Sequence, residues 1–403
     1  DAVRTLGWNV MTNRPKEVAY RAPGAPMAIY AVESVVDELC QDLGLDPLDV
    51  RLKNAARKGT LSSYGPTFNE IGLVATLEAA KAHPHYTAPL SENQGRGLSC
   101  GFWFNFGGNT CVSLNIDSDG TISVVEGNPD IGGSRASISM MAAEELGVPL
   151  DKVRTVITDT NSIGYNDVTD GSRVTFAVGL ATIKAARAAI KEMCARVAKI
   201  WGIDEEAVIW EDGAAKPSGP NAGDFDPMTL AEIAAISDNT GGPIAGHHEV
   251  NADGAGVSFG VHLVDTEVDP ETGTTKVVRY TIFQDAGKAV HPDYVEGQMQ
   301  GGAVQGIGWA LNEEYIYGED GRLQNPGFLD YRVPVASDLP SIETVILEIP
   351  NPGHPYGVRG VGETPIVPPL AAIANAVSRA TGVRMTELPM SPPKLLKAMS
   401  DKG

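Results

Sequence analysis

The sequence predicts an α+β fold in which antiparallel hairpins are combined with amphipathic helices. Alternating strand patterns meet at turns rich in Asp and Gly, at residues 117–120 and 269–273. Elsewhere, apolar residues recur at three- and four-residue spacing, which is typical of helices. The chain has 403 residues, of which 42% are hydrophobic and 20% charged, so it is long enough for two domains with a sizeable core.

The N-terminal part of the chain is predicted to be helical. Residues 27–43 form one amphipathic pattern that ends before Gly44, and a short helix is predicted at residues 47–58. A polar stretch at residues 91–97 follows His83-Pro84-His85 and predicts a domain boundary between residues 80 and 95. We therefore expect one domain at residues 1–90 and a second at residues 91–403.

The second domain is predicted to alternate between hairpins and helices. In chain order we expect a strand region at residues 101–116 returning at 121–125, helices at 137–146 and 175–201, a hairpin of 260–268 with 276–282, a third hairpin turn at 318–321, a strand at 343–349 and a helix from Pro368 onward.

Composition and charge exclude several classes of partner. The formal charge of −20 would repel nucleic acid and anionic lipid, and apolar stretches such as residues 370–377 are far shorter than the roughly 20 residues of a membrane span. We expect a cytoplasmic protein, with the periplasm as the alternative. The four cysteines form no Cys-x-x-Cys pair, so iron-sulfur or structural zinc ligation by this chain is not expected. His247, His248 and His262 are assigned core or surface roles, and no residue is assigned as a metal ligand.

The run Gly360-Val361-Gly362-Glu363 places one carboxylate in a glycine-framed turn between a strand pattern and a helical pattern. Glycines permit strained backbone angles and the close approach of a bulky group, while Val361 and Ile366 would exclude water and make the carboxylate more basic. Glu363 is therefore a candidate general base. The alternative for such a string taken alone is a solvated turn glutamate.

Four further loops lie where elements meet. Residues 20–24, 127–134 and 169–173 each open a predicted helix, and the N-H groups of a helix start suit an anion such as pyrophosphate. Arg21 and Arg173 add charge with a planar fork that matches phosphate oxygens. The fourth, at residues 297–306, carries three amides, Gln298, Gln300 and Gln305, on a glycine-dense helix. For any one loop, capping and packing are the alternative explanation.

Taken in order, five motifs resemble the molybdenum-binding subunit of the xanthine dehydrogenase and aldehyde oxidase family. They are Ala-Tyr-Arg-Ala-Pro-Gly (19–24), Gly-Asn-Pro-Asp-Ile-Gly-Gly (127–133), Asp-Gly-Ser-Arg-Val-Thr (170–175), Glu-Gly-Gln-Met-Gln-Gly-Gly-Ala-Val-Gln-Gly (296–306) and Gly-Val-Gly-Glu (360–363). The resemblance spans nearly the whole chain and corresponds to the later part of that subunit. It implies two mixed α/β molybdopterin-binding domains, of which the first is incomplete here.

The resemblance also implies site residues. Glu363 matches the catalytic base that accepts a proton as water-derived oxygen is transferred to an electrophilic carbon. The residues matched to cofactor binding are Tyr20, Arg21, Ala22, Ile131, Gly132, Gly133, Thr169, Gly171, Ser172, Arg173, Thr175, Gln305 and Gly362. Pro23, Phe102 and Phe106 are matched to the substrate pocket, while Trp103 and Phe104 are assigned to core packing.

Departures from the family pattern refine the prediction. Gly132-Gly133-Ser134 stands where Gly-Gln-Gly is common, Ala22 replaces the cysteine of carbon monoxide dehydrogenases, and Pro23 replaces a ring-clamping phenylalanine of xanthine-type enzymes. The resemblance thus favours a hydroxylase over a molybdenum-copper site and disfavours a purine substrate. An N-heteroaromatic ring or an aldehyde fits the chemistry.

The expected cofactor is molybdenum with molybdopterin in the cytosine dinucleotide form, with iron-sulfur clusters and FAD on partner chains. The family's upstream Gly-Gly-Phe-Gly loop is not found, and the chain begins at Asp1 rather than Met. We therefore expect a separate subunit or a longer precursor to supply the other half of the site. Two alternatives stay open: a non-catalytic scaffold or maturation protein of the same fold, and a dinucleotide-binding module, although no Gly-x-Gly-x-x-Gly follows a strand.

Overall fold

A computed structural model describes residues 4–15 and 19–402, so Asp1 lies outside the described residues. The α-helices of this part are α1 (Ala25–Asp42), α2 (Pro47–Asn54), α3 (Leu73–Ala82), α4 (Pro84–Thr87), α5 (Ser134–Leu146), α6 (Thr160–Ile163), α7 (Val174–Trp201), α8 (Leu230–Ala235), α9 (Ser237–Thr240), α10 (Pro292–Leu311), α11 (Pro369–Thr381) and α12 (Pro392–Lys402). The strands are β1 (Gln94–Trp103), β2 (Gly108–Ile116), β3 (Ile122–Glu126), β4 (Val153–Ile157), β5 (Val208–Glu211), β6 (Ala214–Pro217), β7 (Met228–Thr229), β8 (Ile244–Ala252), β9 (Ser258–Val268), β10 (Thr275–Asp285) and β11 (Ile342–Leu347).

The first sheet has the strand order β1-β9-β10-β11. β9 pairs antiparallel with both β1 and β10, and β11 runs parallel to β10. Helix α11 lies against β1 and β9, and it approaches so closely that a Cβ on Gly97 would be 2.0 Å from the carbonyl oxygen of Ala372. The glycines of β1 therefore set the distance between this sheet and the helix that follows Glu363.

The second sheet has the order β4-β3-β2-β8, and α5 and α7 cover one of its faces. Inward side chains such as Val112, Leu114, Val124 and Phe176 form the largest hydrophobic cluster of the described residues. A small sheet, β5-β6-β7, packs at the end of α7. Because α7 begins at the 169–173 loop, this core holds that loop in place.

Helix α1 has an unusual distribution of side chains. The polar residues Glu33 and Asp37 are buried, whereas Val32, Val35 and Leu39 are more than half exposed. The buried carboxylates are paired, Glu33 with Arg51 of α2 at 2.7 Å, and Asp37 with two further arginines, Arg379 and Arg384. Ion pairs thus fasten α1 to α2 and to the α11 region, and its apolar face points away from this core.

The predicted α+β class with antiparallel hairpins is confirmed. Helices are observed where they were predicted within a few residues, and the 260–282 hairpin corresponds to β9 and β10. Leu48 and Leu77 share a hydrophobic cluster with Leu98 and Phe283, so residues on both sides of the predicted boundary near residue 90 pack together. The division into domains at 1–90 and 91–403 stays a prediction.

Three local predictions differ from the structure. The strand region expected at residues 101–116 is two strands in different sheets, because the chain turns at residues 104–107. Helix α3 was not predicted. The hairpin expected around residues 318–321 reduces to a single bridge between Tyr317 and Leu323. In the part that the structure describes, no helix combines the length and apolarity needed to cross a membrane.

Candidate active site

Most of the predicted site residues line one cleft of about 800 Å³, which is formed by loops of the two larger sheets and by α10. Three of the predicted residues, Ala22, Gly133 and Phe102, do not line it. The predicted residues that do are Tyr20, Arg21, Pro23, Phe106, Ile131, Gly132, Thr169, Gly171, Ser172, Arg173, Thr175, Gln305, Gly362 and Glu363. Segments more than 300 residues apart in sequence therefore form one surface.

Glu363 is half-buried at the start of a 3-10 turn and is held by two other segments. The backbone N-H of Ala22 donates to Oε1 at 2.9 Å, and the Ser172 hydroxyl donates to Oε2 at 3.3 Å. The N-H of Glu363 in turn donates to Ser172 Oγ at 3.0 Å. The carboxylate is thus fixed in the cleft and is not a solvated turn residue.

Burial raises the pKa of Glu363 above its usual value of 4.5. The hydrogen bonds from Ala22 and Ser172 act in the opposite direction, since they favour the charged form. Asp170 raises this pKa further by repulsion, and Arg21 lowers it by attraction. The balance gives a carboxylate that is more basic than one in water but is still oriented by donors, which suits a general base.

Glycine at position 360 permits a close approach, which is one of the two predicted reasons, and does not serve a strained backbone angle, which is the other. Neither Gly360 nor Gly362 has a positive φ, so the turn does not use strained angles. A Cβ on Gly360 would instead be 2.2 Å from the carbonyl oxygen of Ser172. The turn can therefore lie directly against the 169–173 loop, and this contact brings Ser172 within reach of Glu363.

Arg21 connects the N-terminal loop to α10 and to the Glu363 turn. Its guanidinium donates to the carbonyl oxygen of Gly362, to Gln305 Oε1 at 2.9 Å and to the backbone and side-chain oxygens of Gln298 at 3.0 and 3.2 Å. Gln305 completes the cluster by donating from Nε2 to the Tyr20 hydroxyl. The amides of α10 thus have partners, and the fork of Arg21 holds protein groups and is not free for phosphate as predicted.

The remaining residues of the 20–24 loop shape its path. Ala22 is fully buried with a φ of 53°, a left-handed conformation that directs its N-H toward Glu363. Pro23 lines the cleft, and Gly24 caps α1 with a φ of 78°. Ala22 accordingly contributes a backbone donor to the site and no side chain.

The 127–134 loop turns into α5 through two left-handed glycines. A Cβ on Gly132 would be 2.5 Å from Gln298 Nε2, and one on Gly133 would be 2.2 Å from the ring of Tyr294. The loop and α10 are therefore in close contact. Ile131 and Gly132 reach the cleft, whereas Gly133 serves the turn behind it.

The 169–173 loop places the start of α7 at the cleft. Gly171 has a φ of 57°, and its Cβ would be 1.8 Å from the ring of Phe106. Thr169, Gly171, Ser172 and Thr175 line the cleft, although the Ser172 hydroxyl is already bonded to Glu363. The Ser172 hydroxyl is therefore engaged by the carboxylate, and the binding of an anion by the backbone N-H groups of this helix start stays a prediction.

The Arg173 side chain does not match its predicted role as a phosphate-binding fork. It is 2% exposed, and it donates to the carbonyl oxygens of Gly107, Asp167 and Asn109 and to the Thr110 hydroxyl. These bonds tie the loop to the start of β2. The reason is packing: a guanidinium that is buried at the start of a helix is satisfied by the carbonyl and hydroxyl oxygens of the segments around it.

The aromatic residues at the end of β1 and in the turn after it differ from the prediction at Phe102. Trp103 packs in a buried cluster with Ala22 and Ile366, as predicted. Phe106 is 44% exposed and lines the cleft as expected, and Trp103 and Phe104 also line it. Phe102 does not, because it stacks on Tyr64 and packs against Phe259 on the other side of the sheet. Neighbouring strand residues face opposite ways, so Trp103 and not Phe102 points to the cleft.

Several lining residues were not assigned to the site from the sequence. Gln298 lies two helical turns before Gln305 on α10, and this spacing of seven places both amides on one face. Lys288, His291 and Tyr294 line the far end of the cleft, next to α5. No sequence pattern marks these three, since they come from a turn and from the first residues of a helix.

The cleft has features that fit a molybdopterin. Four cationic side chains line it, Arg21, Arg173, Lys288 and Arg359, but Lys288 is paired with Glu348 and Arg359 with Asp285. Anion binding thus falls mainly to the N-termini of α1, α5, α7 and α10, which all open at or beside the cleft. The buried Trp103 Nε1 has no partner among the described residues, so it offers a further donor to a ligand.

Comparison with known proteins agrees with this geometry. Residues 71–340 match a family described as a molybdopterin cofactor-binding domain, and residues 1–55 match a second family of the same description. The chain belongs to the molybdopterin cofactor-binding family. This is the family of the xanthine dehydrogenase and aldehyde oxidase molybdenum-binding subunits, as the sequence predicted.

Named relatives illustrate the range of the family. The chain is 33% identical to a putative xanthine dehydrogenase molybdenum-binding subunit of Escherichia coli K12, over 95% of this chain and 54% of that one. It is 28% identical to the nicotine 6-hydroxylase large subunit of Paenarthrobacter nicotinovorans, over 96% and 52%. The chain spans about half the length of these curated relatives.

The fold is also that of a solved relative. Quinoline 2-oxidoreductase from Pseudomonas putida 86 aligns with a TM-score of 0.82 at 24% identity, over 95% of this chain and 53% of that structure. At this identity the likeness establishes the fold alone. The two larger sheets and the helices that cover them are therefore an arrangement that this structure shares.

Proposed function

We propose that this chain forms one wall of the active site of a molybdenum hydroxylase, with Glu363 as the general base. The observation that carries the proposal is the position of the Glu363 carboxylate. It lies in the cleft that the glycine loops line and is held there by Ala22 and Ser172, two residues from distant segments. A fixed, half-buried carboxylate beside anion-binding helix starts fits proton abstraction next to a bound cofactor.

The overall reaction is the oxidative hydroxylation of an electrophilic carbon. A C-H bond is broken, a C-O bond to a water-derived oxygen is formed, and two electrons and two protons leave for each turnover. Molybdopterin-bound molybdenum supplies the two-electron redox chemistry when it is present. The chain's own contribution is to accept a proton at Glu363, to orient the substrate ring or carbonyl against the aromatic wall, and to exclude water.

The residues that would hold the cofactor follow from the cleft. We assign the backbone N-H groups of Gly132 and of the start of α7, at Gly171, Ser172 and Thr175, to its anionic groups. The second Nε2 proton of Gln305, whose amide is oriented by Arg21, is assigned to its polar edge. We propose the cytosine dinucleotide form of the cofactor. The cleft is lined also by Lys288, His291 and Tyr294, which lie outside the five motifs, and this supports a ligand larger than the pterin alone.

Substrate class follows from the aromatic wall. Trp103, Phe104 and Phe106 lie within 4.5–6.5 Å of one another and border the cleft near Pro23. Flat rings stack on such surfaces. We therefore propose an N-heteroaromatic compound as the substrate, with an aldehyde as the alternative.

Partner chains are also part of the proposal, because they would complete the active site. The exposed apolar residues of α1, Val32, Val35 and Leu39, form a stripe that is typical of a protein interface. We propose that the chain supplying the other wall of the cleft covers this stripe. Iron-sulfur and FAD subunits would then carry the two electrons away, in a cytoplasmic complex.

Replacing Glu363 tests the proposal directly. In the complete complex, Glu363→Gln keeps the size and one hydrogen-bond acceptor but removes the base, so turnover falls by at least about a hundredfold while molybdenum per complex is unchanged. Glu145→Gln is the matched control, since Glu145 is a partly buried glutamate outside the cleft.

Two results would contradict the proposal. Normal turnover in Glu363→Gln would remove the catalytic assignment. A native complex that contains neither molybdenum nor an extractable pterin nucleotide would remove the cofactor assignment, and a retained fold without either would favour a scaffold or maturation role.

A further inference from the structure

A group of potential metal ligands lies on the second sheet, away from the cleft. Cys111 of β2 is the direct cross-strand partner of Glu249 on β8, and Ser113 is the partner of His247. Opposed residues and residues two apart share one face of a sheet, so all four side chains point to the same side. This face is opposite the one that α7 covers.

We propose that Cys111, His247 and Glu249 form a binding site for a divalent transition-metal ion, with Zn²⁺ as the preferred ion. His247 Nε2 is 3.6 Å from Cys111 Sγ and 3.7 Å from Glu249 Oε1, and all three ligand atoms lie within 4.8 Å of one another. A tetrahedral zinc ion with bonds of about 2.3 Å to sulfur and 2.0–2.1 Å to nitrogen would separate these atoms by about 3.5 Å. The side chains are therefore close to ligating positions without movement of the backbone.

A fourth residue orients the histidine. Ser113 Oγ is 2.8 Å from His247 Nδ1, so when a metal takes the lone pair of Nε2 the hydroxyl can accept the proton on Nδ1. Metal-bound histidines usually have such a partner on the second ring nitrogen. Thiolate, imidazole and carboxylate together suit Zn²⁺, and a water molecule would fill the fourth position.

A metal ion could reach these ligands from solvent, but it would compete with a hydrogen bond of the Cys111 thiol. His247 and Glu249 are exposed, at 53% and 76% of their side chains, so an ion can reach the site from solvent. Cys111 is buried and its thiol donates to the carbonyl oxygen of Ile163. Binding replaces that thiol proton by the metal and releases one proton per ion, so affinity falls as the pH is lowered.

A bound ion would cross-link two neighbouring strands of the second sheet. β8 is the edge strand of its sheet, and the ion would join it to β2. The backbone N-H of Cys111 also donates to Asn166 Oδ1, three residues before Thr169, so the metal site would be connected to the loop at the active site. We therefore expect bound Zn²⁺ to raise the melting temperature of the protein.

The test is a zinc titration of the full chain, with whatever partners co-purify, against a chromophoric chelator. We expect one Zn²⁺ per chain beyond any resident metal, and affinity at least tenfold weaker in His247→Ala and in Glu249→Gln. His248→Gln is the matched control because His248 is adjacent but faces the other side of the sheet. Equal affinity in His247→Ala and the unmodified chain would overturn the proposal, as would the absence of zinc binding.

Cobalt substitution tests the thiolate independently. With Co²⁺ the site should show a thiolate-to-metal charge-transfer absorption that disappears in Cys111→Ser and persists in Cys194→Ser, a cysteine on α7. If Cys111→Ser does not fold, the exposed variant His247→Ala still decides the outcome. A band that persists unchanged in His247→Ala and Glu249→Gln would place the metal elsewhere and reject this site.

Discussion

Removing the Ser172 hydroxyl should shift the pH dependence of turnover. Ser172 Oγ donates to Glu363 Oε2 and accepts from the Glu363 N-H, so Ser172→Ala removes one donor that stabilises the charged carboxylate. The pKa of Glu363 is already raised by burial, and without this donor it should rise further. Since the base acts when it is deprotonated, the acid limb of the activity profile moves to higher pH.

The size of the shift follows from the geometry. A hydrogen bond to a charged group contributes about 1.5–3 kcal/mol, and at 3.3 Å the Ser172 contact is at the long end of the range. We take about 1 kcal/mol, and one pKa unit corresponds to about 1.4 kcal/mol. The acid limb should therefore move up by roughly half a unit to one unit, because the Ala22 N-H still holds the carboxylate.

The assay is kcat/KM against pH, which reports the ionisation of the free enzyme. Ser172 has a φ of 60°, a conformation that costs alanine more than glycine, so Ser172→Gly is measured in parallel. Loss of the hydroxyl predicts the same shift in both variants. An acid limb that stays in place in both, or moves only in Ser172→Ala, would refute the hydrogen-bond reasoning.

Two further changes test how the cleft is built. Gly302→Ala on α10 would place a Cβ 2.6 Å from Pro365 and should lower the free energy of unfolding by about 1–3 kcal/mol. Gly297→Ala on the same helix meets nothing within 4 Å and should raise it by about 0.5–1 kcal/mol, so equal effects in urea unfolding would contradict the packing. Arg21→Lys loses the fork that joins Gln298 to Gln305, and turnover should fall about tenfold with the far-UV circular dichroism unchanged. Unaltered turnover would show that the fork is not needed.

Local sequence patterns predicted most of the elements and the candidate base. Helix α1 shows both where prediction from local sequence patterns succeeds and where it fails. Its spacing gave the correct bounds within two residues. Three of its apolar residues, Val32, Val35 and Leu39, are nevertheless exposed, whereas Glu33 and Asp37 are buried. A helical pattern states which residues share a face, but the direction of that face depends on Arg51 and Arg384, which pair with the buried acids from other segments.

The site residues also include positions that the sequence predicted and side-chain roles that it did not. Glycine positions were predicted because a turn or a helix start restricts which residue fits, as at Gly132 and Gly171, and Glu363 was predicted from the glycines that frame it. The roles of Arg21 and Arg173 were not, because a guanidinium binds whichever carbonyl or amide lies near it, and those partners come from distant residues. The choice between Phe102 and Trp103 likewise depended on which side of β1 the chain buries.

The sequence by itself determined the fold class, the family and the order of the loops, because periodicity, turn chemistry and motif order are properties of neighbouring residues. Only the tertiary structure decided that Ser172 holds Glu363 and that Cys111, His247 and Glu249 share one face. These contacts span more than 130 residues, and only the pairing of strands and the packing of helices on sheets brings such positions within hydrogen-bond or ligand distance.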